Sequence, residues 1–248
     1  MTPEQSDFRA GVIRPVECIK EGWALIKDQY WLFLGIALVT ILVGGAVPIV
    51  LIGPMMVGMF MCFFRKMRGE PVDFGMLFKG FDRFVPSLIA ALIQMIPMVV
   101  VMIPAYLIMA ALMITQMPRD GRMTPDESST FLLMMFSFYF VFIILIIALA
   151  IVVGIFFMFS FPLIADRNLP GLDAVKLSIR AGKANFGGVL GLLLLNALLG
   201  FAGALACYVG AFLVMPITFA ANAVAYRRVF PDVAPHFPTP PPPPASWA

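Results

Sequence analysis

The residues that could do chemistry in this chain are scarce, and their placement points away from a reaction. One histidine, His236, stands near the C-terminal end, and Cys18, Cys62 and Cys207 show neither disulfide nor metal spacing. With no second histidine and no acidic cluster, a zinc or iron site has nothing to be built from, and no cofactor is expected. Gly-x-Gly-x-x-Gly loops in a strand–helix context and catalytic triads are absent as well. What remains is polar rather than reactive. Gln94, Asn196 and Asn222, with Thr40, Ser137, Tyr139 and Thr218, lie within or beside long apolar runs. Amides in such runs hydrogen-bond between helices, and they are also the groups a solute path would use. Asn196 and Asn222 fall in neighbouring runs, where they can pair.

Two further groups stand outside the apolar runs. Asp166-Arg167 follows directly on Phe161-Pro162-Leu163-Ile164-Ala165. It reads either as a helix end carrying a surface ion pair or as a docking point for a partner or lipid headgroup. Pro240, Pro241, Pro242, Pro243 and Pro244 are consecutive, with Trp247 close behind. That pattern is either a plain disordered end or a polyproline II ligand for an aromatic-lined groove.

The elements that carry these groups are built for lipid. Of 248 residues, 61% are hydrophobic and 12% charged, with mean hydropathy +0.97; a soluble domain carries roughly 25% charge. Residues 31–64 hold no charge. As one helix they would extend about 51 Å, against about 30 Å of hydrocarbon, so they read as two spans. The turn is expected around Gly44, Gly45, Pro48, Gly53 and Pro54. Further spans are expected at 87–117, 131–165, 187–206 and 209–226, with kinks at Pro97 or Pro104 and at Gly154 or Pro162. Residues 118–130 read as a polar loop. None of the six spans contains Asp, Glu, Lys, Arg or His, which argues against proton relays and most ion-coupled transport.

Three amphipathic segments flank the spans. In 16–30, Val16, Ile19, Trp23, Ile26 and Tyr30 share a helical face, with Pro15 at the helix start. Residues 74–84 and 173–185 are the other two, the last with Asp173 as its expected cap. All three suit helices lying in the headgroup region. Fifteen Lys and Arg fall on the side of these segments, and only Arg119 and Arg122 on the other. By the positive-inside rule, both termini are expected to be cytoplasmic, in a bacterial inner membrane. The first thirty residues lack signal-peptide character, so the first span is expected to direct insertion.

Pro54 and Arg65-Lys66 recur as Pro216 and Arg227-Arg228 at an offset of 162, and Gly22 recurs as Gly182 at 160. The expected organisation is a polar, mobile segment 1–13, a six-span domain 14–230, and a disordered Pro-rich tail 231–248. The domain divides into parallel units 14–68, 71–165 and 171–230, each an interfacial helix followed by a two-span hairpin. The fold class is an all-α polytopic membrane bundle. Gly187 with Gly191, and Gly200 with Ala204, are small residues four apart that permit close helix contact, within the chain or in a homo-oligomer.

The run Gly53-Pro54-Met55-Met56-Val57-Gly58, the segment Leu77-Phe78-Lys79-Gly80-Phe81 and the edge Phe161-Pro162-Leu163-Ile164-Ala165-Asp166 resemble a group of poorly characterised bacterial multi-span membrane proteins. That group is similar to the membrane domain of some glycerophosphoryl diester phosphodiesterases. The resemblance covers most of residues 15–228. It implies a membrane fold rather than phosphodiester chemistry, since these residues include no soluble catalytic module, and it assigns no site residues. The expected function is a non-enzymatic integral membrane protein that organises lipids or recruits partners at its cytoplasmic face. The alternative is a transporter or channel subunit for a small or lipidic molecule. Membrane lipids and a protein reached through the tail are the expected partners; nucleic acid is not.

Overall fold

Pro15 opens the first helix because its fixed φ suits the first turn and its missing N–H is not needed there. The computed structural model describes residues 8–116, 125–205 and 209–231. Arg119, Arg122, Cys207, His236, Pro240 to Pro244 and Trp247 lie outside them. Helix α1 spans Pro15–Ile26, and a single 3-10 turn, Lys27–Gln29, leads into α2, Tyr30–Ala46. The amphipathic segment therefore ends four residues earlier than its hydrophobic pattern indicates, and Tyr30 belongs to the span. Lys66 secures the bend: its Nζ donates to Asp28 Oδ2 (2.5 Å) and to Gln29 Oε1 (3.3 Å).

Helix α3, Pro48–Met67, starts after Val47 alone, again with proline in the first turn. The hairpin thus turns at Val47-Pro48, and Gly53 and Pro54 lie inside α3 rather than in the turn. A 3-10 helix, Phe74–Arg83, follows, its start capped by Asp73 Oδ1 accepting from Gly75 N–H (2.6 Å). Helices α4, Phe84–Gln116, and α5, Pro125–Phe157, have 33 residues each. Each is about 50 Å long, against about 30 Å for a 20-residue span. The central hairpin must tilt or project. Tyr106 is 62% exposed and Phe136 70%, as lipid-facing side chains are. Residues 125–130, expected as loop, are helical: Pro125 suits a first turn, and Ser129 and Thr130 donate back to the Asp126 carbonyl.

The fourth span is broken. Helix α6, Ser160–Arg167, restarts after Met158-Phe159. Pro162 cannot donate to the Met158 carbonyl, and its ring would clash with it, so the helix resets with Pro162 in the first turn of α6. Ser178 heals the gap: its hydroxyl accepts from Phe159 N–H (3.2 Å) and donates to the Phe156 carbonyl (2.8 Å). Ser178 belongs to α7, Gly171–Ala184, which is followed by α8, Phe186–Leu205, and α9, Val209–Val229. Asp173 sits in the first turn of α7 and makes no side-chain cap; Pro170 holds the N-cap position. Its charge still complements the helix dipole.

Each amphipathic segment lies on a second span from the neighbouring hairpin. Helix α1 packs on α9, the 3-10 helix on α3, and α7 on α5 and α6 and equally on α4. A glycine makes each contact close. A Cβ at Gly22 would fall 2.7 Å from Ala221 N, one at Gly80 on the Pro54 carbonyl, and one at Gly182 on the Ile155 carbonyl. The core sits where these contacts converge. Phe33 stacks on Phe63 at 5.0 Å, Phe64 meets Tyr226 at 5.1 Å, and Tyr226 stacks on Phe230 at 5.0 Å. Aromatic pairs of this kind add about 0.5–1.5 kcal/mol each beyond their burial. Residues 8–13, expected as a mobile lead-in, run along this core. Arg9 N–H donates to the Val229 carbonyl (2.8 Å), and Asn185 binds the backbone of Gly11 and Arg9 (2.7 and 3.0 Å).

The architecture is all-α. Six helical stretches are long and apolar enough to cross a membrane, and no strand occurs among the described residues.

Candidate functional site

Nearly all described charges gather at the end of the bundle that carries the amphipathic segments, called here the basic end. Helix α6 stops at Arg167, where Asn168 takes a left-handed φ of 54°. That stop aims Asp166 at α9. Arg227 Nη2 donates to Asp166 Oδ1 (2.6 Å) and Nη1 to Oδ2 (3.0 Å), while the Tyr226 hydroxyl donates to Oδ2 (2.8 Å). The Arg227 guanidinium also lies over the Phe64 ring at 4.5 Å, and that of Arg167 over Phe230 at 5.1 Å. The Asp166 and Arg227 side chains are only 15% and 13% exposed. Both side chains are thus turned onto α9 and the residue after it, as a helix end carrying an ion pair places them.

A second link joins α9 to α1. Arg228 Nη2 contacts Glu17 Oε2 at 2.9 Å and Glu21 Oε1 at 2.7 Å. A cleft of about 390 Å³ opens beside this link, lined by Glu21, Leu25, Met67, Val224, Arg227 and Arg228.

A second cleft among the described residues lies between α3, the 3-10 helix and α6, with a volume of about 380 Å³. Its charged wall comes from a helix stop. Gly69, at φ 72°, closes α3: its N–H donates to the Lys66 carbonyl and that of Glu70 to the Arg65 carbonyl, both at 3.0 Å. Glycine takes this left-handed position without a Cβ penalty. The reversal brings the Glu70 carboxylate back over the helix end, where its two oxygens accept from Arg65 Nε and Arg68 Nε, each at 2.6 Å. The Arg68 and Arg65 guanidiniums hold the Glu70 carboxyl below the usual carboxylate range. Among the described residues, Arg65 Nη1 has only the Met76 sulfur as acceptor, at 3.4 Å, and that is a weak one. Lys79 on the 3-10 helix completes the wall.

Inside the spans, Asn196 Nδ2 donates to Asn222 Oδ1 at 3.0 Å, joining α8 to α9 as the sequence led one to expect. Thr40 and Thr218 donate to backbone carbonyls of their own helices, Ile36 and Met215. Ser137 is exposed on α5, and Tyr139, also exposed, lines a groove between α4 and α5. The buried Oε1 of Gln94 and Oδ1 of Asn196 accept from no group among the described residues. None of these three amides lines the two charged clefts or the two grooves between α4 and α5. The small-residue expectation shifts in register. Gly187 and Gly200 have nothing close, but Gly191 does make a close contact, since a Cβ there would lie 2.9 Å from Pro15 Cγ at the start of α1. Gly203 and Gly210 bring α8 and α9 together, since a Cβ on Gly203 would lie 2.7 Å from the Gly210 carbonyl.

Pattern alone missed Glu70, Ser178 and Asn185. For Glu70 a signal existed, since Gly69 after Arg65-Lys66-Met67-Arg68 marks a helix stop that folds the next residue back. Ser178 and Asn185 act across gaps of 19 residues or more in the chain, and no local spacing reveals such a partner.

These features define an integral membrane bundle with a charged, cleft-bearing end and an apolar body. Comparison of the chain with protein-family models, curated proteins and solved structures returns no match.

Proposed function

We propose that this is a non-enzymatic integral membrane protein that organises lipids, or gathers partners, at its basic end. That end would face the cytoplasm of a bacterial cell, with both termini on that side. The carrying observation is the contrast between the ends of the molecule. Both clefts lined by charge, about 380 and 390 Å³, lie at the basic end, whereas the grooves between α4 and α5 are lined by Met, Ile, Leu, Phe and Tyr. A body joined by amide and backbone hydrogen bonds suits an anchor, and charged clefts at headgroup level suit contacts.

The organisation is three related units. Three glycines, Gly22, Gly80 and Gly182, each seat an amphipathic segment on a second span, and Phe64 and Tyr226, ten residues after Pro54 and Pro216, meet in the core. This supports a cyclic arrangement in which the first unit closes on the last.

The test is native mass spectrometry of the protein released from nanodiscs of mixed zwitterionic and anionic phospholipid, with a parallel flux assay in vesicles. The expected outcome is enrichment of one lipid class without solute flux. No enrichment would overturn lipid organisation and leave only the gathering of partners. A second reading, a transporter or channel subunit, draws on the buried amide oxygens of Gln94 and Asn196, which have no protein partner among the described residues. Flux that Gln94→Leu abolishes would favour it.

A further inference from the structure

We infer that the cleft between α3, the 3-10 helix and α6 is a binding site for a phosphate ester group, held by Arg65, Arg68 and Lys79. The inference rests on the lipid-organising reading above and names the site and ligand chemistry for it.

Three observations converge. The first is orientation. Glu70 takes the Nε of both Arg65 and Arg68, one on each oxygen at 2.6 Å, and so holds two guanidiniums beside one carboxylate without using their terminal nitrogens in these bonds. Two like charges held together repel, and one carboxylate offsets only one of them. The second is unused donor capacity. Among the described residues, the terminal nitrogens of Arg65 have only the Met76 sulfur as a hydrogen-bond acceptor, at 3.4 Å, and those of Arg68 have none. The Lys79 side chain makes no ion pair or hydrogen bond among the described residues. Guanidinium forks with free terminal nitrogens match the oxygens of a phosphate, and a lysine adds a point charge.

The third is shape and place. The cleft measures about 380 Å³, within the range of small-ligand pockets. Met61, Phe64 and Met76 give it an apolar side next to its charged one. Asp166, on the far wall, is already neutralised by Arg227. A cleft that is apolar on one side and cationic on the other, beside a helix at headgroup level, fits the phosphate and first carbons of an anionic phospholipid. A free phosphate monoester offers the same phosphate chemistry without the apolar part.

The experiment uses full-length protein in zwitterionic nanodiscs and in nanodiscs containing phosphatidylglycerol. Lipid retention is read by native mass spectrometry and thermal stabilisation by a melting curve. Glycerol 3-phosphate and inorganic phosphate are titrated separately as soluble probes. Arg68→Gln and Lys79→Gln remove exposed cations of the cleft; Lys176→Gln removes an exposed cation elsewhere on the same end. Each cleft variant is expected to weaken phosphatidylglycerol retention about fivefold, the equivalent of about 1 kcal/mol per cation near a membrane surface. Lys176→Gln is expected to leave retention unchanged. Equal loss in all three variants would mean diffuse surface attraction and overturn the site. Unchanged retention in both cleft variants would overturn it too, while leaving lipid organisation standing. No preference for phosphatidylglycerol and no response to either soluble probe in the wild-type protein would remove both. Stabilisation by glycerol 3-phosphate that both cleft variants lose, without any lipid preference, would keep the site, assign it to soluble phosphate esters and remove lipid organisation.

Discussion

Replacing Asp166 by Ala tests how far the basic end is held by charge. The carboxylate accepts three hydrogen bonds, two from Arg227 and one from Tyr226. Removing one member of a buried ion pair costs about 3–5 kcal/mol, because the other charge stays desolvated. Here Asp166 and Arg227 are 15% and 13% exposed, so water reaches them a little and the low end applies. The Tyr226 hydroxyl loses its acceptor while its residue is fully buried, a loss of about 1–3 kcal/mol by itself. These contributions overlap because they share one carboxylate, so the expected total is about 3 kcal/mol, some two decades in the unfolding constant. Tyr226→Phe, which removes one hydrogen bond and leaves the ion pair intact, should cost about 1 kcal/mol. The double variant Asp166→Leu with Arg227→Met should recover part of the loss, since it leaves no unpaired charge. The assay is the unfolding midpoint in mixed micelles titrated with denaturing detergent. A midpoint for Asp166→Ala no lower than that of Tyr226→Phe would refute the reasoning, as would a double variant worse than the single one.

Other consequences follow from close contacts and bridging side chains. Gly58→Ala places a Cβ on the Leu77 carbonyl, so the 3-10 helix must lift from α3; a loss of roughly 1–3 kcal/mol is expected in thermal melts. Gly45→Ala, with open space around it, should be neutral or slightly stabilising in the same melts. Ser178→Ala leaves the Phe159 N–H and Phe156 carbonyl unpaired at the α5–α6 break and should lower stability by about 1–3 kcal/mol, with faster amide exchange at Phe159. Asn185→Ala should release residues 8–13, read as faster hydrogen exchange at Gly11 and Val12 with the rest of the bundle unchanged. Asn196→Leu and Asn222→Leu together should cost about 0.6–1.7 kcal/mol, the range for interhelical hydrogen bonds in membranes, in the micelle titration.

Much of this molecule was legible in the sequence, because a bilayer constrains a chain one residue at a time. Apolar runs must be helices there, since no water is present to satisfy the backbone, and their length is set by hydrocarbon thickness. Hence the six spans and the three amphipathic segments could be read directly, and so could the pairing of Asn196 with Asn222, two amides in adjacent spans. Proline showed a helix start at Pro15, because its missing N–H is harmless in a first turn; Pro48 and Pro125 open helices for the same reason, but beside glycines and polar residues they read as turn and loop. Whether a proline breaks a helix or sits inside it was not legible. Pro54 and Pro216 lie within α3 and α9, whereas Pro162 interrupts the fourth span where Ser178 waits to take up the freed backbone groups. That choice depends on a partner from another helix. So does the fate of Asp166, which a helix end would leave in water had α9 not placed Tyr226 and Arg227 against it. The cleft of Arg65, Arg68 and Lys79 is of the same kind. Its turn is written locally in Gly69, but its apolar wall and volume exist only because Gly58 and Gly80 let a 3-10 helix press directly onto α3. Local rules act through the backbone and through solvent, both present at every residue, while contacts across the bundle depend on which surfaces meet, and only the folded chain decides that.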